Sequence, residues 1–175
     1  KGSFIHNPVG INSYQYASLT LYFSNLAGDR IVKEMRNVHY STNTVIEKVI
    51  LEQLTEGPMN TRLCSVLNDN VKVLDVRLKD KTCTLNLNQA FLDTAKGVAK
   101  PEVVLYSIVD TLCDNLSADK VQFQIEGNSD VVFGDSLSLA GPFHRNSEII
   151  EIQDSTMEET NSASGTDLGE PQIGL

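Results

Sequence analysis

Tryptophan is absent from these 175 residues, and aromatic residues make up only 6% of them. A stacking platform for sugars or bases therefore has little to be built from. Histidine occurs three times, at His6, His39 and His144. None lies in a segment that marks a triad, and neither a GxSxG elbow nor a Cys beside a local His is present, which speaks against a triad hydrolase. The glycines stand alone, without GxGxxG or GK[ST] after a strand pattern, so a phosphate loop is missing. Cys64, Cys83 and Cys113 are widely spaced, with no CxxC and no Cys/His cluster at metal-ligand spacing. They read as reduced, partly buried thiols, although the spacing leaves one disulfide open. The longest uncharged apolar run, Val103–Val109, is far too short to cross a bilayer. No catalytic, cofactor-binding or metal-ligating residue is expected from these patterns, and no cofactor.

Basic charge is missing from one region in particular. Residues 147–175 contain seven acids and neither Lys nor Arg. Removing those seven from the 23 acids leaves 16 against 14 bases, so the net charge of −9 shrinks to −2 for residues 1–146. A nearly balanced domain offers no basic footprint for nucleic acid or an anionic membrane. Composition divides the chain into a linker at 1–16, a folded domain at 17–146 and a flexible acidic tail at 147–175. The sequence starts at Lys1 without Met, which leaves room for an upstream signal peptide or anchor.

What is present is periodicity. Thr44–Pro58 reads as an amphipathic helix: Ile46, Ile50 and Leu54 recur every four residues beside Val45 and Val49. Thr44 with Glu47 fits a capping box, Gly57 supplies a left-handed stop, and Pro58 cannot continue the helix. Pro101 to about Leu116 reads as a second helix, with Val104, Ile108, Leu112 and Leu116 spaced by four. Asp110 and Asp114 lie four apart on it and read as a solvated face.

Strand alternation marks residues 17–24, with Leu19, Leu21 and Phe23 on one face. Residues 31–40 follow as a strand that Lys33, Glu34 and Arg36 suggest is exposed or at an edge. Residues 71–78 and 82–87 form the clearest hairpin, turning at Lys79–Lys81, and residues 120–126 add a further strand. Residues 59–70 and 88–100 read as connections. The order β-β-α-β-β-α-β predicts an α+β two-layer sandwich, a mainly antiparallel sheet with both helices on one face.

Several of these blocks, in this order, resemble the GerM domain family. They are LTLYF (19–23), the E-x-R of Glu34 and Arg36, LEQLTEGP (51–58), TLNLN (84–88), the helix from Pro101, VQFQIEG (121–127) and GPFHR (141–145). The resemblance covers residues 17–146. It implies a fold related to ring-building motifs and an extracytoplasmic, membrane-anchored lipoprotein setting. It also implies association with sporulation or germination through envelope protein assembly, and does not imply an enzyme. Leu54, Gly57 and Pro58 are the motif residues that carry over, and they are explained by helix packing and termination.

The leading expectation is a noncatalytic interaction module of the cell envelope, binding other envelope proteins or its own copies, with no nucleic-acid partner. Phe143, His144 and Arg145 are its candidate contact surface. The alternative is a peptidoglycan-binding domain, which needs a groove lined by Tyr14, Tyr16, Tyr22, Tyr40 or Tyr106.

Overall fold

The computed structural model describes residues 13–153. Its elements are β1 (Tyr14–Asn25), β2 (Ile31–Ser41), α1 (Ile46–Glu56), β3 (Leu63–Cys64), β4 (Val73–Lys79) and β5 (Thr82–Leu87). A 3-10 segment (Gln89–Lys96) then leads to α2 (Pro101–Asn115), β6 (Lys120–Ile125), β7 (Val132–Phe133), β8 (Leu137–Ser138), β9 (Phe143–His144) and a 3-10 turn (Ser147–Ile149). This is the expected α+β order with short strands added. β1 starts at Tyr14, so the strand reaches into residues read as linker; most of that linker, and most of the acidic tail, lies outside the described residues.

The strands form two sheets, ordered β2-β1-β3 and β4-β5-β6-β9, with β7–β8 a separate ribbon. Pairing is antiparallel except between β5 and β6, which run parallel from Thr82↔Lys120 to Leu87↔Ile125. The parallel pair follows from the connection: α2 carries the chain back along the sheet, as parallel neighbours require. β4 and β5 are joined by a two-residue turn in which Asp80 and Lys81 both have positive φ, 51° and 60°. That geometry matches the right-handed twist of the strands it joins.

One apolar core unites the layers. Leu21 and Phe23 of β1, Ile50 and Leu54 of α1, Leu85 of β5, Ile108 and Leu112 of α2 and Phe123 of β6 are all buried in it. Phe91 and Leu92, within the stretch 88–100 read as a connection, sit on the 3-10 segment, and Phe91 stacks on Phe123 and Phe133. The loop 59–70 is pinned to the core by Leu63, Val66 and Leu67, and Leu63–Cys64 also adds a short strand to β1.

The start of α1 differs from expectation. The helix begins at Ile46 behind Val45, and no side chain caps it. The Thr44 amide is used instead to close a turn onto the Ser41 carbonyl at 2.9 Å, so the chain leaves β2 through a turn before the helix starts. The other end forms as expected: Gly57 takes φ 88° and returns its N–H to the Leu54 carbonyl.

α2 meets β1 in a way the apolar spacing did not reveal. Asn25 bonds to Arg30, which sets the phase of the β1–β2 ladder and turns Thr20, Tyr22 and Ser24 away from β2. Ser24 pairs with Cys64 of β3. Thr20 and Tyr22 have no strand beside them, and α2 supplies the partners. Ser107 Oγ donates to the Tyr22 carbonyl and the Tyr22 N–H donates to Thr111 Oγ at 3.0 Å. The Thr20 N–H donates to Asn115 Oδ1 at 2.9 Å, and Asn115 Nδ2 donates back to the Thr20 carbonyl at 2.6 Å. Residues spaced by four on one helix face thus stand in for a missing strand.

Replacing Thr111 with Val keeps the shape but leaves the buried Tyr22 N–H without an acceptor. Chemical denaturation should register a loss of about 1–3 kcal/mol, whereas Thr111→Ser, which retains the hydroxyl, should cost less.

Candidate functional site

The E-x-R pair, read as exposed, is largely buried. Arg36 is only 9% exposed, because the C-terminus of α1 lies against it. Its guanidinium donates to the Gln53 side chain and to the Gln53 and Gly57 carbonyls, and pairs with Glu34. It also stands 5.7 Å from the Phe23 ring centroid. Glu34 in turn accepts from the backbone N–H groups of Met59 and Asn60, at 3.0 and 2.8 Å. β2 therefore grips both the open carbonyls at the end of α1 and the amides of the loop after it. Burial alone would raise the Glu34 carboxyl, but the Asn60 and Met59 amides and Arg36 outweigh it and hold it below 4.5. Of the three motif residues, Leu54 is fully buried in the core, Gly57 gives its carbonyl to Arg36, and Pro58 lies between Gly57 and the Met59 amide that Glu34 holds.

A second charged cluster joins α2 to the segment after β9. Arg145 Nε and a terminal nitrogen pair with the two oxygens of Asp114, at 2.5 and 3.2 Å. The buried Tyr22 hydroxyl donates to Asp114 at 2.6 Å. Burial and Asp114 push the Tyr22 hydroxyl up to about 12. Burial works to raise Asp114 as well, but Arg145 and Tyr22 overcome it and hold that carboxyl low. Asp110 is not on a solvated face: it is fully buried, and its Oδ1 accepts from the Asn146 N–H at 2.9 Å. Burial pushes it up to about 6 against the opposing Asn146 and Arg145, with Asp114 adding to the rise.

The three residues singled out as a contact surface are divided by the fold. Phe143 is half-buried, edge-on to Tyr106 and Phe123, and Arg145 is tied to Asp114. His144 stays exposed on β9, the two-residue strand at the edge of the second sheet. The five tyrosines do not share a groove. Tyr22 is buried, Tyr106 packs on Phe143, and Tyr40 bonds Gln15 on the opposite face of the β1–β2 ribbon from Tyr14 and Tyr16. Tyr14 and Tyr16, 58% and 84% exposed, flank His39 at 5.9 and 5.8 Å between ring centroids.

Beside this aromatic ladder runs the outer edge of β2. The ladder phase turns Ile31, Lys33, Met35, Asn37 and His39 outward, and β2 is the terminal strand of its sheet. Only Ile31 is paired there among the described residues: its carbonyl accepts from the Glu151 N–H at 2.7 Å.

Two clefts in the fold carry little chemistry. One of about 320 Å³ lies between the β1–β2 turn, Cys64–Asn68 and Asp93–Ala99, and its Ser65 and Thr94 hydroxyls are already spent on backbone carbonyls. Another, of about 510 Å³, runs between α1 and the start of β4. Among the described residues no group of His, Cys, Asp and Glu is arranged to hold a metal, and no helix is long and apolar enough to cross a membrane. Cys64, Cys83 and Cys113 are free, and burial pushes the Cys83 and Cys113 thiols up to about 12 and 11.

A family model described as Germane, sporulation and spore germination, matches residues 20–131. This chain belongs to the Germane family. The matched range holds both helices, the Glu34–Arg36 clamp and the α2 stripe; Phe143–Arg145 falls outside it. Among solved structures, the Germane domain is similar to the tandem GerMN domains of the sporulation protein GerM from Bacillus subtilis. The TM-score is 0.64 at 22% identity, over 83% of this chain and 51% of that one, so the chain spans about half of the tandem structure. The first GerMN domain of that protein gives 0.55 at 23% identity, over 69% of this chain and 92% of that chain. No curated protein matches the sequence. The structural likeness shows a shared fold.

Because Glu34 is held low in the folded state, its contribution to stability is complete above pH 4.5 and is lost as the pH falls through its folded-state value. Glu34→Gln should cost about 2–4 kcal/mol at pH 7. Denaturation profiles across pH should show this deficit shrinking below pH 4.5.

Proposed function

We propose that this Germane domain is a noncatalytic, extracytoplasmic interaction module of the bacterial cell envelope, serving sporulation or germination. It joins other envelope proteins, or further copies of itself, by taking an extended strand onto the outer edge of β2. The observation that carries this reading is that edge: from Lys33 to His39 its outward backbone groups have no strand beside them among the described residues. An unpaired edge is a template for another chain. Met35, 58% exposed, and the Tyr14–His39–Tyr16 ladder provide apolar contact beside it. The family description supports the biological setting. The GerM resemblance supports the extracytoplasmic placement and an upstream lipid anchor in this proposal. His144 on β9 is the secondary contact in this proposal.

Asn37→Pro tests the edge, since it removes an outward N–H that the β1–β2 ladder does not use. Sedimentation velocity over a wide concentration range, with photocrosslinking from position 35 on the same edge in the native host, is the measurement. Association and crosslinks should fall at least about tenfold while the thermal transition changes little. Association that survives Asn37→Pro and is instead lost on replacing His144 would move the contact to β9.

A further inference from the structure

We propose that Asp110 is a pH-sensitive latch for the segment Arg145–Glu151, holding it on the fold in mild acid and loosening it at neutral pH. The segment is fastened at several points, among them a bond from Asn25 Nδ2 to Glu151 Oε1 at 3.3 Å. Arg145 pairs with Asp114, the Asn146 N–H donates to Asp110, Arg30 donates to the Glu148 carbonyl, and the Glu151 N–H donates to the Ile31 carbonyl. Ile149 and Ile150 pack against a small cluster of Tyr22, Ile31 and Val103, separate from the main core. Asp110 lies under this strap with none of its surface exposed.

Its two oxygens are treated differently. Oδ1 receives the Asn146 amide, whereas Oδ2 is buried with no partner among the described residues. An ionised carboxylate in that position has given up water for one hydrogen bond, and a proton on Oδ2 removes the penalty. With the strap lifted, the same carboxylate regains water. Seating the strap is therefore harder while Asp110 is charged.

The charged and titratable neighbours do not reverse this sign. Tyr106, Cys113 and Asp114 face Asp110 from α2 itself, and Arg145 faces it from the strap. Tyr22 of β1 and Lys33 of β2 act at Asp114. Tyr106 and Cys113 are neutral in this range, and Asp114 opposes a second negative charge. Arg145 attracts the ionised form, but its two-point pair is with Asp114, which stays ionised after Asp110 takes its proton. Acid thus removes the buried charge and leaves the strap's main ion pair intact. The raised value of about 6 agrees with this direction.

The strap also covers Ile31, the first outward residue of the β2 edge, so its release at neutral pH lengthens that edge. This consequence rests on the edge reading above; the latch does not.

Amide hydrogen exchange on the full 175-residue chain, corrected for the intrinsic effect of pH, reads the latch directly and needs no partner. Protection at Asn146 and Glu151 should rise about tenfold from pH 7.5 to pH 5, for a carboxyl near 6 when seated and 3.8 when released. Asp110→Asn should hold the pH 5 level of protection at both pH values. Glu151→Gln should retain the wild-type pH response. Wild-type protection that stays flat or falls on acidification overturns the proposal, as does a response that survives Asp110→Asn and disappears in Glu151→Gln.

Discussion

The structure depends on how the outward backbone groups of β1 are satisfied. A strand with one neighbour leaves half of its amides and carbonyls unpaired, and burying them without partners costs more than any single apolar contact returns. Here Ser107, Thr111 and Asn115 meet the groups of Thr20 and Tyr22, so the helix is bonded to the sheet as well as packed on it. Packing alone would leave α2 free to slide along its apolar stripe. The hydrogen bonds fix its register against β1, and with it the positions of Asp110 and Asp114.

The Glu34–Arg36 clamp is the corresponding device for α1. A helix that ends inside a protein leaves carbonyls without partners, and a buried guanidinium is one of few side chains able to gather several of them. Arg36 takes the Gln53 and Gly57 carbonyls while Glu34 balances its charge and captures the next two amides. Each helix is thus tied to a different strand of the same ribbon, through polar atoms on one side and the common core on the other.

Much of this was legible in the sequence. Apolar spacing located both helices and the five long strands, and the E-x-R and LxxLxxGP blocks carried the family. What was missed depends on residues far apart in the chain. Glu34 and Arg36 look like exposed charges because the carbonyls that bury Arg36 arrive about twenty residues later. The parallel β5–β6 pair has the same alternation as an antiparallel one, so period alone cannot distinguish them. β3 has two residues and therefore no period. The polar stripe of α2 was visible as Ser107, Thr111 and Asn115 at intervals of four, but it means little until an unpaired strand is known to face it. Asp110 was misread for the same reason: what covers it is a segment more than thirty residues downstream.

The positions at which the described chain meets β2 have a mechanical consequence. Tyr14 lies opposite Ser41 at one end of the strand, and Ile150 lies beside Ile31 at the other. The two ends therefore leave from opposite poles of an eleven-residue strand, roughly 35 Å apart at the rise of an extended chain. Tension between them runs down the β1 backbone itself, which the turn joins to Ile31, and it falls first on the seat of the strap, with its single backbone bond to Ile31 and its bonds from Arg145 and Asn146. Pulling therefore lifts the strap before it strains the β1–β2 ladder, and the hairpin keeps its register while the strap peels away.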